Sequence, residues 1–367
     1  MQQSHTASDL RGIHSLPDGV AWASGTNGTV LHTEDSGQTW QLCAIPPGAE
    51  HLDFRGIQAF DAQTAIVMSS GKGDLSRLYK TIDACKTWTL VFTNPDKEGF
   101  WDGLSFFAPS KNQLGQPLSF SYATGVVLGD PVGGTFTLFS TNNGGDSWYR
   151  RTTEKRDREG GCKADTFSAN SGEAVFAASN QSLLVLPSGY LLFVTGGASA
   201  KLGSTNSFSW DGALCHESTH FRSLPIAHGR ASSGAFAFAT LLEKEPSGNF
   251  PDKMMIVGGD YTLPDGIDHN AVFVSHAGTI FTTFRTPKTP PHGYRSSVAY
   301  SPTQNSWITV GPNGTDVSTD DGRNWHALRP SPADAPDADR NWNALSLPFV
   351  VGPHGRIGLL RPEALKP

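Results

Sequence analysis

Four arginines stand at matching points of a repeating chain: Arg11, Arg55, Arg230 and Arg295 each open a run of small and apolar residues. A guanidinium donates hydrogen bonds in a planar fork, so several converging on one mouth could clamp a carboxylate or phosphate. Near the same points fall the aromatics Trp101, Tyr261 and Trp342, and these seven residues form the candidate ligand-binding set. Any catalysis there would draw on Asp102, Asp130, Glu173, Asp260 and Tyr294. Arginines beside a carboxylate pair and a tyrosine could hydrolyse an acidic saccharide, given two carboxyls at a defined separation. The plainer alternative pairs each arginine with a neighbouring acid and leaves it to hold the structure together.

Two further patterns invite chemistry and are set aside. His216-Glu217-Ser218-Thr219-His220 matches H-E-x-x-H. That zinc chemistry needs both histidines on one helical face with the glutamate as base, whereas this stretch falls where outer strands are expected. Gly71-Lys72-Gly73 lacks the rest of a dinucleotide-binding fingerprint. No metal and no cofactor is expected. Three N-glycosylation patterns, at Asn27, Asn180 and Asn313, include two Asn-Gly turns that turn chemistry already accounts for.

The elements that must position these residues are legible from a recurrent turn. Thr33-Glu34-Asp35-Ser36-Gly37-Gln38-Thr39-Trp40 returns at Thr81–Trp88, Thr141–Trp148 and Ser318–Trp325. A hydroxyl, an Asp or Asn, usually a Gly and then a Trp make a hairpin turn backed by a large apolar ring. The carboxylate or amide accepts from its own backbone, Gly supplies the positive φ, and Trp opens the next strand. In the fourth and fifth repeats the signature decays, near Ser209–Gly212 and Ser275–Gly278.

A second mark precedes each turn. Inner segments open near residues 11, 55, 101, 173, 230, 295 and 342, and each is followed by an apolar run ending in Gly25, Gly71, Gly129, Gly196, Gly258, Gly311 or Gly352. Seven repeats of roughly 40–50 residues, with several short strands each, predict propeller blades. The expectation is therefore all-β: one seven-bladed propeller of four-stranded antiparallel blades spanning residues 1–367. After Trp342 there is room for only three strands, so the residues near Gln2–Thr6 are expected to complete the last blade and cover its edge. Strand order then puts the turns on one face, and the arginines with the loops after second strands on the other. The longest of those loops, 196–206 and 258–270, mark the expected rim of a site.

Composition narrows the partner. A formal net charge of −6 and a pI near 6.0 argue against nucleic acid or an anionic membrane surface. No apolar run reaches the length of a membrane span. The first thirty residues lack the basic-then-apolar order of a signal peptide. A charged run over Arg150–Glu159 reads as a solvated loop. Four cysteines, Cys43, Cys85, Cys162 and Cys215, include no C-x-x-C pair, so buried free thiols are expected, with a Cys162–Cys215 bridge as the sharper alternative.

The turns, together with Leu52–Asp61, Gly129-Asp130-Pro131, Gly258-Gly259-Asp260-Tyr261 and Gly293–Tyr300, make the chain resemble Asp-box (BNR-type) β-propellers, most nearly the photosystem II stability/assembly factor-like family. The resemblance covers nearly the whole chain. It implies a seven-bladed, often exported protein that binds a protein client without catalysis. The expected function is thus a monomeric binding or assembly module, taking a protein client or an anionic small molecule or saccharide on its arginine-bearing face. The alternative is a sialidase-like hydrolase or lyase in the same mouth. That alternative lacks an Arg-Ile-Pro motif near the N-terminus and has seven repeats where sialidases have six blades.

Overall fold

The computed structural model describes residues 1–107, 120–151, 154–156, 162–164, 167–205, 219–241, 251–277 and 280–365. Its innermost strands are Leu10–Ser15, Phe54–Ala59, Trp101–Phe107, Leu183–Val185, Ser233–Leu241, Ser297–Ser301 and Ala344–Ser346. Each leads outward through antiparallel neighbours, giving seven blades. Outermost strands are Gln41–Leu42, Thr89–Thr93, Tyr149–Arg150, His220–Ser223, Ile280–Arg285 and His326–Ala327 in the first six. The seventh ends at Arg356–Leu359.

Burial explains why these segments are strands. Second strands such as Ala21–Gly25 and Ala65–Ser69 are buried throughout, as expected of strands packed on both faces. Their side chains meet those of the next blade in seven apolar clusters, one at each junction around the ring. Trp22, Phe54, Tyr79 and Trp88 fill the first-to-second junction. Trp40 meets Phe349 edge-on, with centroids 5.4 Å apart, and so joins the first blade to the seventh. Ser15 strengthens the same junction, its hydroxyl donating to the Leu347 carbonyl at 2.6 Å.

Each recurring turn is closed by its own side chains. The Thr33 hydroxyl donates to Asp35 at 2.9 Å, and Asp35 accepts from the Thr39 amide at 2.9 Å and the Thr39 hydroxyl at 2.6 Å. The amide of Gly37, whose φ is 82°, donates to Thr33 Oγ1 at 3.0 Å. Asp83, Asn143 and Asp320 repeat the pattern. In the second turn Cys85 takes the glycine's place at φ 58°.

Four expectations need correction. Cys43 and Cys85 are not free thiols: they form a disulfide that joins the end of the first blade to the turn of the second. The pairing is between successive repeats, and spacing alone does not mark it. The Cys162 side chain and all of Cys215 lie outside the described residues. Secondly, the fourth blade begins at Leu183, not near residue 173. Glu173–Ala174 instead pairs with Gly196–Gly197, which extends the fifth sheet. Thirdly, the strand expected to complete the last blade is reduced to one antiparallel bridge, in which the Gln2 amide donates to the Ile357 carbonyl at 2.8 Å. The run expected as a solvated loop after Tyr149 also contains a hairpin, Glu154–Arg156 with Cys162–Ala164.

Candidate functional site

The starts of the inner strands surround a cavity of about 590 Å³, lined by Arg11, Arg55, Asp102, Asp130, Phe176, Phe236, Tyr261, Tyr294 and Trp342 among others. Tyr261 and Pro312 come from loops after second strands, so both kinds of segment meet at one mouth, as the strand order requires. Phe106, at the far end of its strand, packs edge-on against Trp148 behind a recurring turn. The turns therefore lie towards the opposite mouth.

A segment unrecognised in the sequence makes this cavity a cup. Residues 176–182 run down the centre of the ring before the fourth blade starts. Phe176 stacks flat on Phe236 of the fifth blade, with centroids 4.0 Å apart. The Ser179 hydroxyl donates to the Ser296 carbonyl at 2.7 Å, and Asn180 Oδ1 accepts from the Leu104 amide at 2.7 Å. Gln181 accepts from the Ser297 hydroxyl at 2.6 Å and the Val298 amide at 3.1 Å, and donates to the Leu345 carbonyl at 3.1 Å. Gly56 admits the plug, because a Cβ there would stand 2.9 Å from Asn180 Oδ1. One short stretch thus bonds to the third, sixth and seventh blades and stacks on the fifth. Ala174–Ala178 line the cup, whereas Ser179–Gln181 line the opposite mouth. The glycosylation pattern at Asn180 is absorbed by this plug. Its sequence signal is a run of small residues and two amides with no strand alternation.

Of the expected ligand-binding set, Arg11, Arg55, Tyr261 and Trp342 line the cup. Arg55 donates from Nε to Asp53 at 2.8 Å and from Nη1 to the Ala177 carbonyl at 3.3 Å. Arg11 lies 3.7 Å from Asp9 and 3.9 Å from Asp53. Trp342 is 2 % exposed and carries the Arg356 guanidinium over its ring.

The other three are elsewhere. Arg295 is fully buried, donating through Nε to Asp316 at 2.9 Å, while His292 contacts the same carboxylate at 2.7 Å. Burial raises Asp316, but His292 and Arg295 outweigh that and hold it below the ordinary carboxylate range. This arginine locks structure; its flat donor fork was matched to a carboxylate of the chain's own. Trp101 is also fully buried, stacked on Phe92 at 5.4 Å between the second and third blades. Arg230 is 67 % exposed and loosely paired with Asp260 at 3.5 Å, outside the residues that line the cup.

The candidate acids divide in the same way. Glu173 is neutralised by Lys201 at 2.7 Å and accepts from the Thr195 hydroxyl at 2.6 Å. Burial raises Asp260, but hydrogen bonds from Thr262 and Ser232, with Arg230 nearby, leave it below its ordinary value. Asp102 and Asp130 do share the cup, from neighbouring strands of the third blade. Burial, then the nearby Asp130 charge, hold the Asp102 carboxyl well above the ordinary range, and burial pushes Asp130 up to about 6. Burial keeps the Tyr294 phenol protonated, far above its usual value.

For metal chemistry, no group of three or more histidine, cysteine or carboxylate ligands occurs among the described residues. Residues 216–218 of the H-E-x-x-H stretch lie outside the description, and His220 opens an exposed outer strand.

No protein-family model matches the chain, and no curated protein sequence matches it. Solved structures do. YCF48 bound to D1 peptide superposes with a TM-score of 0.58 at 14% identity, covering 98% of this chain and 95% of that one. YCF48 from Cyanidioschyzon merolae gives a TM-score of 0.59 at 17% identity, covering 98% of this chain and 97% of its own. Over nearly its whole length, then, this seven-bladed all-β chain is similar in fold to YCF48.

Proposed function

We propose that this chain is a non-catalytic propeller that receives a segment of a client protein in the plugged cup, at the mouth bearing Arg11 and Arg55. The observation that carries this reading is the form of the mouth. A floored cavity large enough for several side chains opens beside a rim loop whose Tyr261, Leu263 and Ile267 are each about half exposed. Clustered apolar residues around a concave site suit a peptide or protein surface. A fold-neighbour with a bound peptide supports the same reading. The Cys43–Cys85 disulfide suits an exported protein, since such bonds persist in oxidising compartments.

One observation favours the hydrolase reading: Asp102 and Asp130 line one cavity and are both held above the usual carboxylate range. Three others weigh against it. The two acids come from adjacent strands of one blade and share one wall, whereas glycosidase carboxyls flank the scissile bond. The Tyr294 phenol is held protonated, unlike a nucleophile. Arg295 is committed to Asp316, which removes one member of the expected arginine group.

The test is photo-crosslinking with benzoylphenylalanine at position 261, on the rim, and at position 82, on the turn face. Adducts with peptide segments from position 261 alone are expected; equal labelling from both faces overturns the reading. Turnover of a fluorogenic sialoside or glucuronide that is abolished by Asp130→Asn would overturn its non-catalytic part.

A further inference from the structure

The charges at the mouth do not add up to an anion site. Arg55 is engaged by Asp53 and by the Ala177 carbonyl, and Arg11 lies between Asp9 and Asp53. The two cations thus face two carboxylates of their own. Asp102 and Asp130 are left without an ion pair among the described residues: Arg55 favours the Asp102 charge only through space, and burial outweighs it. Asp102 is 2 % exposed and its Oδ2 has no hydrogen-bond partner. Asp130 uses Oδ1 to accept from the Val175 amide at 3.0 Å.

The same cavity is lined by aromatic surfaces. Phe236, stacked on Phe176, is met edge-on by Tyr294 at 4.8 Å and by Tyr261 at 6.2 Å. Carboxylates without an ion-pair partner, set in one cavity with aromatic rings, attract ammonium and guanidinium groups through charge and ring quadrupole together. An incoming carboxylate or sulfate would instead meet like charge.

We infer that the cup receives a cation, an ammonium or guanidinium on an aliphatic stem such as a lysine or arginine side chain of the client, with the Asp130 carboxylate as its acceptor and Asp102 behind it. This deepens the protein-binding reading and rests on it. Burial holds both acids above the usual range, and an arriving cation draws both down, so binding releases protons and tightens as pH rises through about 6. The other charged groups around Asp130 are already paired: Arg55 and Arg11 with Asp53 and Asp9, Glu173 with Lys201, and Glu98 with Lys72.

The experiment uses the full chain and three nonapeptides that differ only at the centre, bearing lysine, norleucine or glutamate, with n-butylammonium and butyrate as fragments in saturation-transfer NMR. The lysine peptide is expected to bind about tenfold or more tightly than the norleucine peptide, as one charge-assisted hydrogen bond allows. The glutamate peptide is expected to be the weakest. Asp130→Asn, checked for an unchanged melting temperature, should erase the lysine preference and leave norleucine binding intact, and the preference should be larger at pH 7.5 than at pH 5. Equal binding of lysine and norleucine, preference for glutamate, or a lysine preference that survives Asp130→Asn overturns the cation assignment and leaves the cup as a protein site. Saturation of n-butylammonium without peptide binding keeps the cation site and removes the protein reading. Failure of all three peptides and of n-butylammonium removes both.

Discussion

The aspartates of the recurring turns and those of the cup are the same residue in opposite conditions. Asp35 is held down to about 2, first by the Thr39 hydroxyl and then by the Thr39 amide, because those donors favour the ionised form. Asp130 is pushed up to about 6 because burial removes the water that would stabilise its charge. One set has local donors and is scaffold; the other faces a cavity and has no ion-pair partner among the described residues. Residue type does not separate them. Partner supply does.

The largest perturbation should fall on the turn side and spare the cup. Trp40→Ala, which empties a nearly closed site against Phe349, is expected to cost about 3–5 kcal/mol in urea unfolding while leaving cup ligands bound at unchanged affinity. Loss of cup binding in a folded variant would show the two regions to be coupled. Next comes the plug. Gln181→Ala strands the Ser297 hydroxyl, the Val298 amide and the Leu345 carbonyl, an expected loss of about 1–3 kcal/mol by the same measurement. Unlike the tryptophan change, it should also weaken cup binding, because the floor is disturbed.

The pH profile separates the two aspartate classes by sign. Asp130 titrates above its unfolded value, so the folded chain keeps a proton that the unfolded chain releases. Its contribution grows as pH falls from about 7 towards about 4, and Asp130→Asn should flatten that limb. Asp35 titrates below its unfolded value, so its contribution is full above about 4 and is lost as pH falls through about 2. Asp35→Asn should flatten that lower limb alone, as read from the urea midpoint against pH. The smallest effect is expected from Asp83→Asn. Asn143 already serves in the third turn, accepting from Thr141 and the Ser147 amide, so the melting temperature should move by only about a degree or two. A larger fall would mean that the charge, and not the hydrogen-bond geometry, closes these turns.

Much of the scaffold was legible because its signals are local. The hydroxyl of Thr33, the acceptor at Asp35, the positive φ at Gly37 and the ring of Trp40 lie within eight residues, and each acts on its neighbours. The candidate site was legible only in part. Arg11, Arg55, Asp102, Asp130, Tyr261, Tyr294 and Trp342 reach one cavity because their places in the repeat bring them to the same mouth. Arg295 and Arg11 occupy similar places, yet one is sealed against Asp316 and the other stays partly exposed. Repeat position tells where a side chain starts, and says nothing of which partner it meets.

By itself the sequence determined the number of blades, their strand order and the separation of turns from strand starts, because each follows from periodic apolar runs and short-range turn chemistry. Tertiary structure alone decided the Cys43–Cys85 bond, the late start of the fourth blade and the plug at 176–182. It also decided which acids lack an ion-pair partner among the described residues. These depend on contacts between residues tens to hundreds of positions apart, which no local pattern encodes, and on burial, which changes the charge of a carboxylate without changing its name.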